Sequence, residues 1–450
     1  MNNVKISIIG AGGSFTVGLI HDLCLTPNLY GSIISLMDIN EDRLNWAYNI
    51  CERYIKEMEA NFKIEKTTDR RESLKGADFV ITTALIDGPR RLRDGWTIAE
   101  KHGIKWGGSY HILYDEPFWL NYYQLRLFES ITEDMIEICP NAWHLLVSNP
   151  VLAGTTYLYR KYPNIKLVGL CHGFAGVYEI AEVLGLEKEY MTFEIAGVNH
   201  FIWLTHAYYK GQDIFPMIDE WLKTKAEEYW KTHPEGTLGK KKMDLYRKLG
   251  AIPIGDTASI TGASWPWWYH SDKNVEEQWG ADSRKWWWEY IDYISNTPNR
   301  LRAVAEDQSV KIAEAFQLDI KQLTGEPMIP IIESIVCDIP RIIIVNIQND
   351  GEYVPGIPKD FEVEIPALVS KRGIEGIRTK GLPKPIIAHI LRDRVAPVEI
   401  ELEAYNKGSR DLLVQLVLTD KWITSEKHAN ELIDDIFALP YHKELREHYR

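Results

Sequence analysis

The chain has 450 residues, of which 45% are hydrophobic and 26% are charged, as in ordinary globular proteins. This length exceeds that of a typical single core and predicts two domains. A formal net charge of -13 disfavours nucleic acids and anionic membranes as partners and favours small-molecule substrates. Five cysteines without a CxxC pair indicate a cytoplasmic protein rather than a disulfide scaffold. We find no apolar run long enough for a transmembrane helix.

Strands and helices alternate along the first part of the chain. Apolar strands are predicted over 4–9, 33–37, 78–84, 142–147 and 165–170, and helices over 14–25, 43–59 and 117–138. Such alternation is typical of a parallel, doubly wound sheet with helices on both faces. The expected fold class is therefore α/β, with an N-terminal Rossmann-like sheet.

The alternation is lost after about residue 190. Strands are expected over 192–204 and 327–369, and helices over 285–318 and 398–437. We therefore predict a Rossmann-like domain over residues 1–190 and a C-terminal α+β domain over residues 191–450. Without a low-complexity linker between them, the two domains are expected to share an extensive interface.

A glycine-rich turn follows the first predicted strand, with Gly10, Gly12 and Gly13 before Ser14 and Phe15. Gly10 permits a tight turn, Gly12 allows the backbone to approach a pyrophosphate, and the helix N-terminus near Ser14 supplies free N–H groups. Phe15 stands where the third glycine of the usual dinucleotide fingerprint would be. The pattern predicts a dinucleotide site.

An acidic residue, Asp38, ends the second predicted strand and would accept hydrogen bonds from the ribose hydroxyls. A carboxylate there would repel a 2′-phosphate, which favours NAD over NADP. The alternative interpretation is a glycine-rich turn that binds another nucleotide or none.

A cysteine and a histidine from separate segments form a second candidate site. Cys171 directly follows the strand predicted to end at Leu170, and His200 follows the apolar segment 192–198. A thiolate and a neutral imidazole suit a divalent transition metal. Taken alone, however, the two residues favour an inert buried thiol and a core histidine over a metal site.

Together these segments resemble glycoside hydrolase family 4, the NAD- and manganese-dependent glycosidases, over essentially the whole chain. The resemblance is carried by the runs Gly10-Ala11-Gly12-Gly13-Ser14, Ser148-Asn149-Pro150, Cys171-His172-Gly173-Phe174, Gly197-Val198-Asn199-His200 and Asn346-Ile347-Gln348-Asn349-Asp350-Gly351. The Cys-His-Gly run and the segment 252–257 are similar to those of the α-glucuronidase branch. This resemblance implies an enzyme that hydrolyses α-glycosidic bonds of uronic acids.

The resemblance also implies a mechanism. NAD oxidises C3 of the sugar, a base removes the acidified C2 proton, the aglycone is eliminated, and water adds before the hydride returns. Cys171 and His200 would bind Mn²⁺, His172 would be the proton donor, and Asn149 and Asn199 would hold sugar hydroxyls.

Two assignments remain open at this point. The catalytic base is sought among Asp256, Tyr246 and Tyr269, and Asp256 is favoured because it ends an apolar run in a glycine-containing loop. The substrate carboxylate needs a cation, ideally an arginine. Three arginines, Arg90, Arg91 and Arg93, follow the third predicted strand, and Arg91 is our candidate.

Competing functions are an α-galacturonidase or another family 4 α-glycosidase, and an NAD-dependent 2-hydroxyacid dehydrogenase. The last is considered because the expected fold resembles lactate and malate dehydrogenases, and a fold does not fix a function. A nucleotide-binding protein without enzymatic activity is the third reading. A homodimer or homotetramer is expected from the aromatic content and the resemblance.

Overall fold

The structure is a computed structural model that describes residues 3–262 and 265–450. Its strands are β1 (Lys5–Ile9), β2 (Ile33–Met37), β3 (Lys63–Thr67), β4 (Phe79–Thr82), β5 (Trp143–Leu146), β6 (Leu167–Gly169), β7 (Met191–Val198), β8 (Phe201–Tyr209), β9 (Gln212–Asp213), β10 (Ile252–Ile254), β11 (Arg341–Gln348), β12 (Glu362–Ser370) and β13 (Gly373–Gly376).

The α-helices are α1 (Phe15–Cys24), α2 (Glu41–Glu57), α3 (Arg70–Leu74), α4 (Gly88–Lys101), α5 (Phe118–Ile138), α6 (Val151–Lys161), α7 (Gly176–Leu184), α8 (Phe215–Thr224), α9 (Ala226–Tyr229), α10 (Lys240–Leu249), α11 (Lys273–Trp279), α12 (Ser283–Ser295), α13 (Thr297–Glu306), α14 (Ile312–Ala315), α15 (Met328–Cys337), α16 (Lys384–Ile390), α17 (Ala396–Lys407), α18 (Arg410–Val417), α19 (Glu426–Phe437) and α20 (Lys443–His448). Among the described residues, no helix has the length and apolarity needed to cross a bilayer.

One continuous sheet organises the chain, in the order β10-β8-β7-β12-β11-β6-β5-β4-β1-β2-β3. The six strands from β6 to β3 are parallel, with β1 between β4 and β2. The predicted α/β fold with a Rossmann-like parallel sheet is thus confirmed. Because the carboxyl ends of parallel strands meet at one edge, the residues that follow β1, β2, β5 and β6 are brought to the same side.

The C-terminal half extends this sheet with antiparallel strands. Strand β11 joins β6 through the pair Asn346 and Gly169, and β12 lies between β11 and the β7–β8 hairpin. The 192–204 strand region is this hairpin, whose turn contains Asn199 and His200. The hairpin turn is therefore carried by strands that continue the parallel sheet.

Strand β3 and helix α15 are among the elements that differ from the sequence-based expectation. Strand β3 was not predicted because its Lys-Ile-Glu-Lys-Thr sequence is largely polar, as suits its place at the sheet edge. Helix α15 lies within the region 327–369 that was expected to form strands and turns. Its isoleucines favour a strand locally, but the segment buries an apolar face against α1 and β12, and packing overrides that preference.

Candidate active site

The glycine-rich turn lies at the carboxyl ends of β1 and β2. The backbone N–H of Gly12 donates to Oδ2 of Asp38 at 2.9 Å, and the N–H of Asn40 donates to Oδ1 of the same carboxylate. A side chain at Gly12 would place its Cβ 2.7 Å from Oδ2 of Asp38, whereas a Cβ at Gly13 would meet no atom within 4 Å. The turn is therefore closed towards Asp38 and open above Gly13.

The remaining predicted residues of this turn, Ser14 and Phe15, enter α1 directly after Gly13. A bare glycine facing open space before a helix N-terminus leaves room for a phosphate to approach backbone N–H groups. The surroundings of Gly13 and the oriented carboxylate of Asp38 thus fit a dinucleotide bound across the turn.

Cys171 and His200 come together although 28 residues separate them in the chain. Cys171 follows β6, and its thiol lies close enough to the imidazole of His200 for each group to shift the pKa of the other. His200 has a left-handed backbone conformation with φ of 58°, which directs the turn between β7 and β8. The predicted juxtaposition of a thiol and an imidazole is therefore present in the structure.

Burial and charge act on both groups. Burial raises the pKa of the Cys171 thiol, the carboxylate of Glu364 adds to that effect, and His200 opposes it. Burial by itself would lower the pKa of His200, but Cys171 and Glu116 raise that pKa well above its usual value. A divalent cation between the two residues would favour the thiolate, as metal binding to cysteine requires.

Acidic residues lie on the other side of the imidazole. Ligand atoms of Asp115, Glu116 and His200 all lie within 4.8 Å of one another. Burial, followed by the neighbouring charge of Glu116, raises the pKa of Asp115. The Nδ2 atom of Asn149 donates to Oδ2 of Asp115 at 2.8 Å, so the end of β5 also reaches this group.

Several buried oxygens near these residues make no hydrogen bond within the described ranges, among them Oδ1 of Asp115, Oε1 of Glu116 and Oδ1 of Asn199. A buried acceptor without a donor is costly and is commonly satisfied by a cation or by water. Together with the thiol and the imidazole, these oxygens give a donor set that fits a divalent transition metal such as Mn²⁺.

Asp256 lies at the same place. It follows β10, and its Oδ2 atom is 3.6 Å from Nε2 of His200. The hydroxyl of Thr261 donates to Oδ1 of Asp256 at 2.5 Å, which leaves Oδ2 directed towards the imidazole. Of the three candidates for the base, Asp256 is the one that the structure brings to His200.

The two tyrosine candidates make contacts elsewhere. The hydroxyl of Tyr246 donates to Oδ1 of Asp219 at 3.0 Å, and the hydroxyl of Tyr269 donates to Oδ2 of Asp244. Burial and the hydrogen bond to Asp219 raise the pKa of Tyr246 to about 12, which makes it a poor base near neutral pH.

His172 lies half-exposed beside Cys171. Its Nδ1 atom is 3.4 Å from Oε1 of Glu326, and this contact raises the pKa of His172 although burial opposes the rise. An imidazole with a carboxylate partner is suited to hold a proton near neutral pH. Glu326 lies just before α15, and nothing in the sequence indicated that it would be the partner of His172.

Asn199 is fully buried beneath the hairpin turn. Its backbone N–H donates to Oε2 of Glu362 at 3.2 Å, and its Nδ2 atom donates to Oε2 of Glu364 at 3.1 Å. These contacts with β12 hold the turn that presents His200.

Arg91 lies in α4, not in a loop as expected from the sequence. Its guanidinium packs 3.6 Å from the ring centroid of Tyr123 and 3.1 Å from Nδ1 of His442. Its neighbours Arg90 and Arg93 form ion pairs with Asp87 and Asp292. The contacts of Arg91 described here are thus with α5 and the C-terminal segment.

Sequence reasoning did not single out residues 114–116 of the loop between α4 and α5. This loop supplies Tyr114, Asp115 and Glu116 to the site. Tyr290 of α12 lies near the same site. Burial and the nearby carboxylates of Asp115 and Asp256 raise the pKa of Tyr290 to about 12. The sequence signal that could have identified this part of the site is the pair of adjacent acidic residues, Asp115 and Glu116, before Pro117 and the long helix α5.

The glycine-rich turn and Cys171 both follow strands of the parallel sheet at the same edge, an arrangement suited to an enzyme that uses a dinucleotide and a metal ion. Family comparison makes the assignment definite. The family model for family 4 glycosyl hydrolase matches residues 5–186, and that for the family 4 glycosyl hydrolase C-terminal domain matches residues 195–423. The chain belongs to this family, and the predicted resemblance is confirmed.

Similar proteins include an α-glucosidase of Erwinia rhapontici, 29% identical over 96% of this chain and 96% of the relative. An α-galacturonidase of Lachnoclostridium phytofermentans is 23% identical over 97% of this chain and 96% of the relative. A solved 6-phospho-α-glucosidase from gut microorganisms, in complex with NAD and Mn²⁺, aligns with a TM-score of 0.77 at 19% identity, covering 98% of both chains. The last similarity establishes the fold.

Proposed function

We propose that this chain is an α-glucuronidase that hydrolyses α-glycosidic bonds of uronic acids with NAD and Mn²⁺. The observation that carries the proposal is the meeting of Cys171, His200 and Asp256 at the sheet edge that also holds the glycine-rich turn. Membership of family 4 supports glycosidase activity, and the run Cys171-His172-Gly173 resembles the α-glucuronidase branch.

Both cofactors have residues suited to them. Gly10, Gly12, Gly13 and the start of α1 would hold NAD with Asp38 at the ribose, and Cys171 with His200 would hold Mn²⁺. Bound NAD would supply reversible hydride transfer at C3 of the sugar, and the metal would supply Lewis acidity towards the sugar oxygens.

The protein's own groups move the protons. Asp256, with Oδ2 on the side of His200, takes the C2 proton next to the oxidised C3. His172, paired with Glu326, donates a proton to the departing aglycone oxygen. Water then adds across the resulting double bond, so the net reaction is hydrolysis without net oxidation. Asn149 and Asn199 act on the sugar hydroxyls in this proposal.

A uronic acid brings a carboxylate that needs a cation. Arg91 remains our sequence-based candidate for that role. Lys242 of α10 is a second candidate, because it is only 7% exposed and the carboxylates of Glu179 and Asp256 are near enough to oppose the lowering of its pKa by burial. The variants Arg91→Met and Lys242→Met separate the candidates. Replacing the residue that binds the carboxylate is expected to raise KM for an aryl α-glucuronide but not for the matching α-glucoside.

The decisive experiment uses the reduced, purified protein and an aryl α-glucuronide in deuterated water. Omitting NAD or Mn²⁺ in turn is expected to abolish aglycone release, and the freed uronic acid is expected to carry deuterium at C2. Release without either cofactor would point to paired-carboxylate hydrolysis and overturn the proposal. Reduction of NAD by a hydroxy acid without cleavage would indicate a dehydrogenase instead.

The names of the relatives favour one alternative, an α-galacturonidase or another α-glycosidase of the family. Glucuronides and galacturonides differ only in the orientation of the C4 hydroxyl. Parallel assays with aryl α-galacturonide and α-glucoside will decide between them, because the true substrate should show the highest kcat/KM.

A further inference from the structure

The two ring nitrogens of His200 have different neighbours. Around Nδ1 lie the Tyr114 hydroxyl oxygen at 2.6 Å and Oε1 of Glu116 at 2.9 Å. Around Nε2 lies the carboxylate of Asp256 at 3.6 Å. A histidine offers a metal only the nitrogen that carries no hydrogen, so these neighbours bear on which nitrogen binds.

We propose that Glu116, held in place by Tyr110, is the positioning residue that keeps the ring hydrogen of His200 on Nδ1 and leaves Nε2 for the metal. This inference rests on the proposed function, in that the metal concerned is the one bound by Cys171 and His200. It assigns roles to Glu116 and Tyr110 that neither the motifs nor the family assignment provides.

Glu116 is suited to this role by its chemistry and its burial. Oε1 of Glu116 lies 2.9 Å from Nδ1 of His200 as a close contact, and at that distance a carboxylate oxygen favours an N–H over a nitrogen lone pair. The Tyr114 hydroxyl, which makes the hydrogen bond at Nδ1, can accept from the same N–H. The side chain of Glu116 is 1% exposed, so little water competes for its oxygens. A ring hydrogen on Nδ1 is therefore the arrangement that this contact favours.

Tyr110 fixes the orientation of that carboxylate. Its hydroxyl donates to Oε2 of Glu116 at 2.7 Å, which leaves Oε1 facing His200. The Tyr110 ring is packed in turn under the guanidinium of Arg394, 4.1 Å from the ring centroid. The chain Arg394, Tyr110, Glu116, His200 thus leads from the core to the metal site.

Direct ligation by Glu116 is the competing interpretation, since Asp115, Glu116 and His200 could together hold a metal ion. A metal on Nδ1 would have to displace the Tyr114 hydroxyl, and Glu116 would have to share its carboxylate between the metal and Tyr110. A carboxylate that orients the histidine from behind is the common arrangement in metalloproteins. The contacts favour that arrangement here.

The test measures metal binding without substrate. Mn²⁺ affinity is determined by calorimetry, and Co²⁺ absorption spectra report the coordination geometry, for the wild type, Glu116→Gln, Glu116→Met, Tyr110→Phe and Cys171→Ser. Glu431→Gln, an exposed site on α19, is the matched control. Thermal unfolding of each variant shows whether it is folded.

We expect Glu116→Met, which has no acceptor, to weaken Mn²⁺ binding by about 10- to 100-fold. Glu116→Gln keeps a neutral acceptor and should lose less, Tyr110→Phe should lose least, and the Co²⁺ bands of Glu116→Gln should resemble those of the wild type. Folded Glu116→Met with unchanged affinity would overturn the inference. So would Co²⁺ bands in Glu116→Gln as altered as those in Cys171→Ser, which would make Glu116 a ligand. Absence of Mn²⁺ binding by the wild type would instead refute the proposed function together with this inference.

Discussion

The side-chain amide of Asn149 donates a hydrogen bond to Asp115 across 2.8 Å, joining the end of β5 to the loop before α5. This contact holds two segments of the site together, although they are distant from each other in sequence. It also engages Nδ2 of Asn149 and leaves Oδ1 of the same amide as the atom available to accept from a sugar hydroxyl.

Replacing Asn149 by aspartate would put two carboxylates in contact without a donor between them. Repulsion raises the pKa of one carboxyl group in the folded protein. The free energy of unfolding of the variant, relative to that of the wild type, is therefore expected to be lower at pH 8 than at pH 5.5 by about 1–3 kcal/mol. Urea unfolding at the two pH values measures this. Asn149→Ser, which adds no charge but removes the amide donor to Asp115, serves as the control and should show a smaller pH dependence.

If Cys171 is a metal ligand, Cys171→Ser should reduce Mn²⁺ affinity and activity more than a serine substitution at another cysteine. Loss of the thiolate should weaken Mn²⁺ binding by more than the roughly 10- to 100-fold expected for an outer partner, and activity should fall with it. Cys337, whose thiol is near the backbone carbonyl oxygen of Asn28, offers the matched substitution Cys337→Ser. Equal Mn²⁺ affinity in the two variants would remove Cys171 from the ligand set.

A base role for Asp256 predicts that Asp256→Asn lowers kcat by about 10²- to 10⁴-fold. The hydrogen bond from Thr261 could persist with the amide, so the fold and NAD affinity should be retained. Exchange of the C2 proton with deuterated solvent should slow in parallel. Tyr246→Phe is the comparison, and a larger loss there would transfer the role to Tyr246.

The contact between Gly12 and Asp38 bears on cofactor choice. In Asp38→Ala the Gly12 N–H loses a charged acceptor, and so would the ribose, which should weaken NAD binding by about 1.5–3 kcal/mol, or roughly 10- to 100-fold. NADP binding should weaken less, because the repulsion of its phosphate is removed as well. Fluorescence titration with both nucleotides measures the ratio, which should not change in Asp42→Ala on α2.

His144 supplies a prediction about stability that is independent of the active site. It is fully buried on β5 with Nε2 2.8 Å from Thr82 Oγ1, and burial lowers its pKa to about 4. The unfolded chain takes up this proton near pH 6.5 but the folded protein only near pH 4, so stability falls as the pH is lowered through that window.

Between pH 7.5 and pH 5 this histidine should lower the free energy of unfolding by about 2 kcal/mol. His144→Asn is expected to reduce the acid destabilisation by that amount in urea unfolding, whereas His233→Asn, at an exposed position, should leave it unchanged. A His144→Asn protein with the acid sensitivity of the wild type would show that His144 is charged or reorganised in the fold.

The sequence predicted most of the parallel half because its strands are apolar and end at recognisable residues such as Asp38 and Cys171. It missed β3, whose exposed edge needs few apolar residues, and α15, whose isoleucines favour a strand in isolation. Family membership and the fold class were confirmed. The roles of the individual site residues remain predictions.

The part of the site that escaped prediction depends on contacts between distant segments. Asp115 and Glu116 lie in a loop without strand or helix periodicity, and their function follows only from the position of His200, more than eighty residues later in the chain. Likewise Glu326 acquires a role only because the segment before α15 meets His172. Local patterns carry no information about such pairings.

The strand order β6-β5-β4-β1 also fixes the distance between the glycine-rich turn and the Cys171 thiol. The dinucleotide turn after β1 and the thiol after β6 are separated by three strand spacings, each about 4.8 Å, hence by roughly 14 Å along the sheet edge. Substitutions in the loops can alter what each end of that interval contacts, but the interval itself changes only by whole strands. A variant enzyme with new substrate preferences can thus keep its glycine-rich turn and its thiol at an unchanged separation.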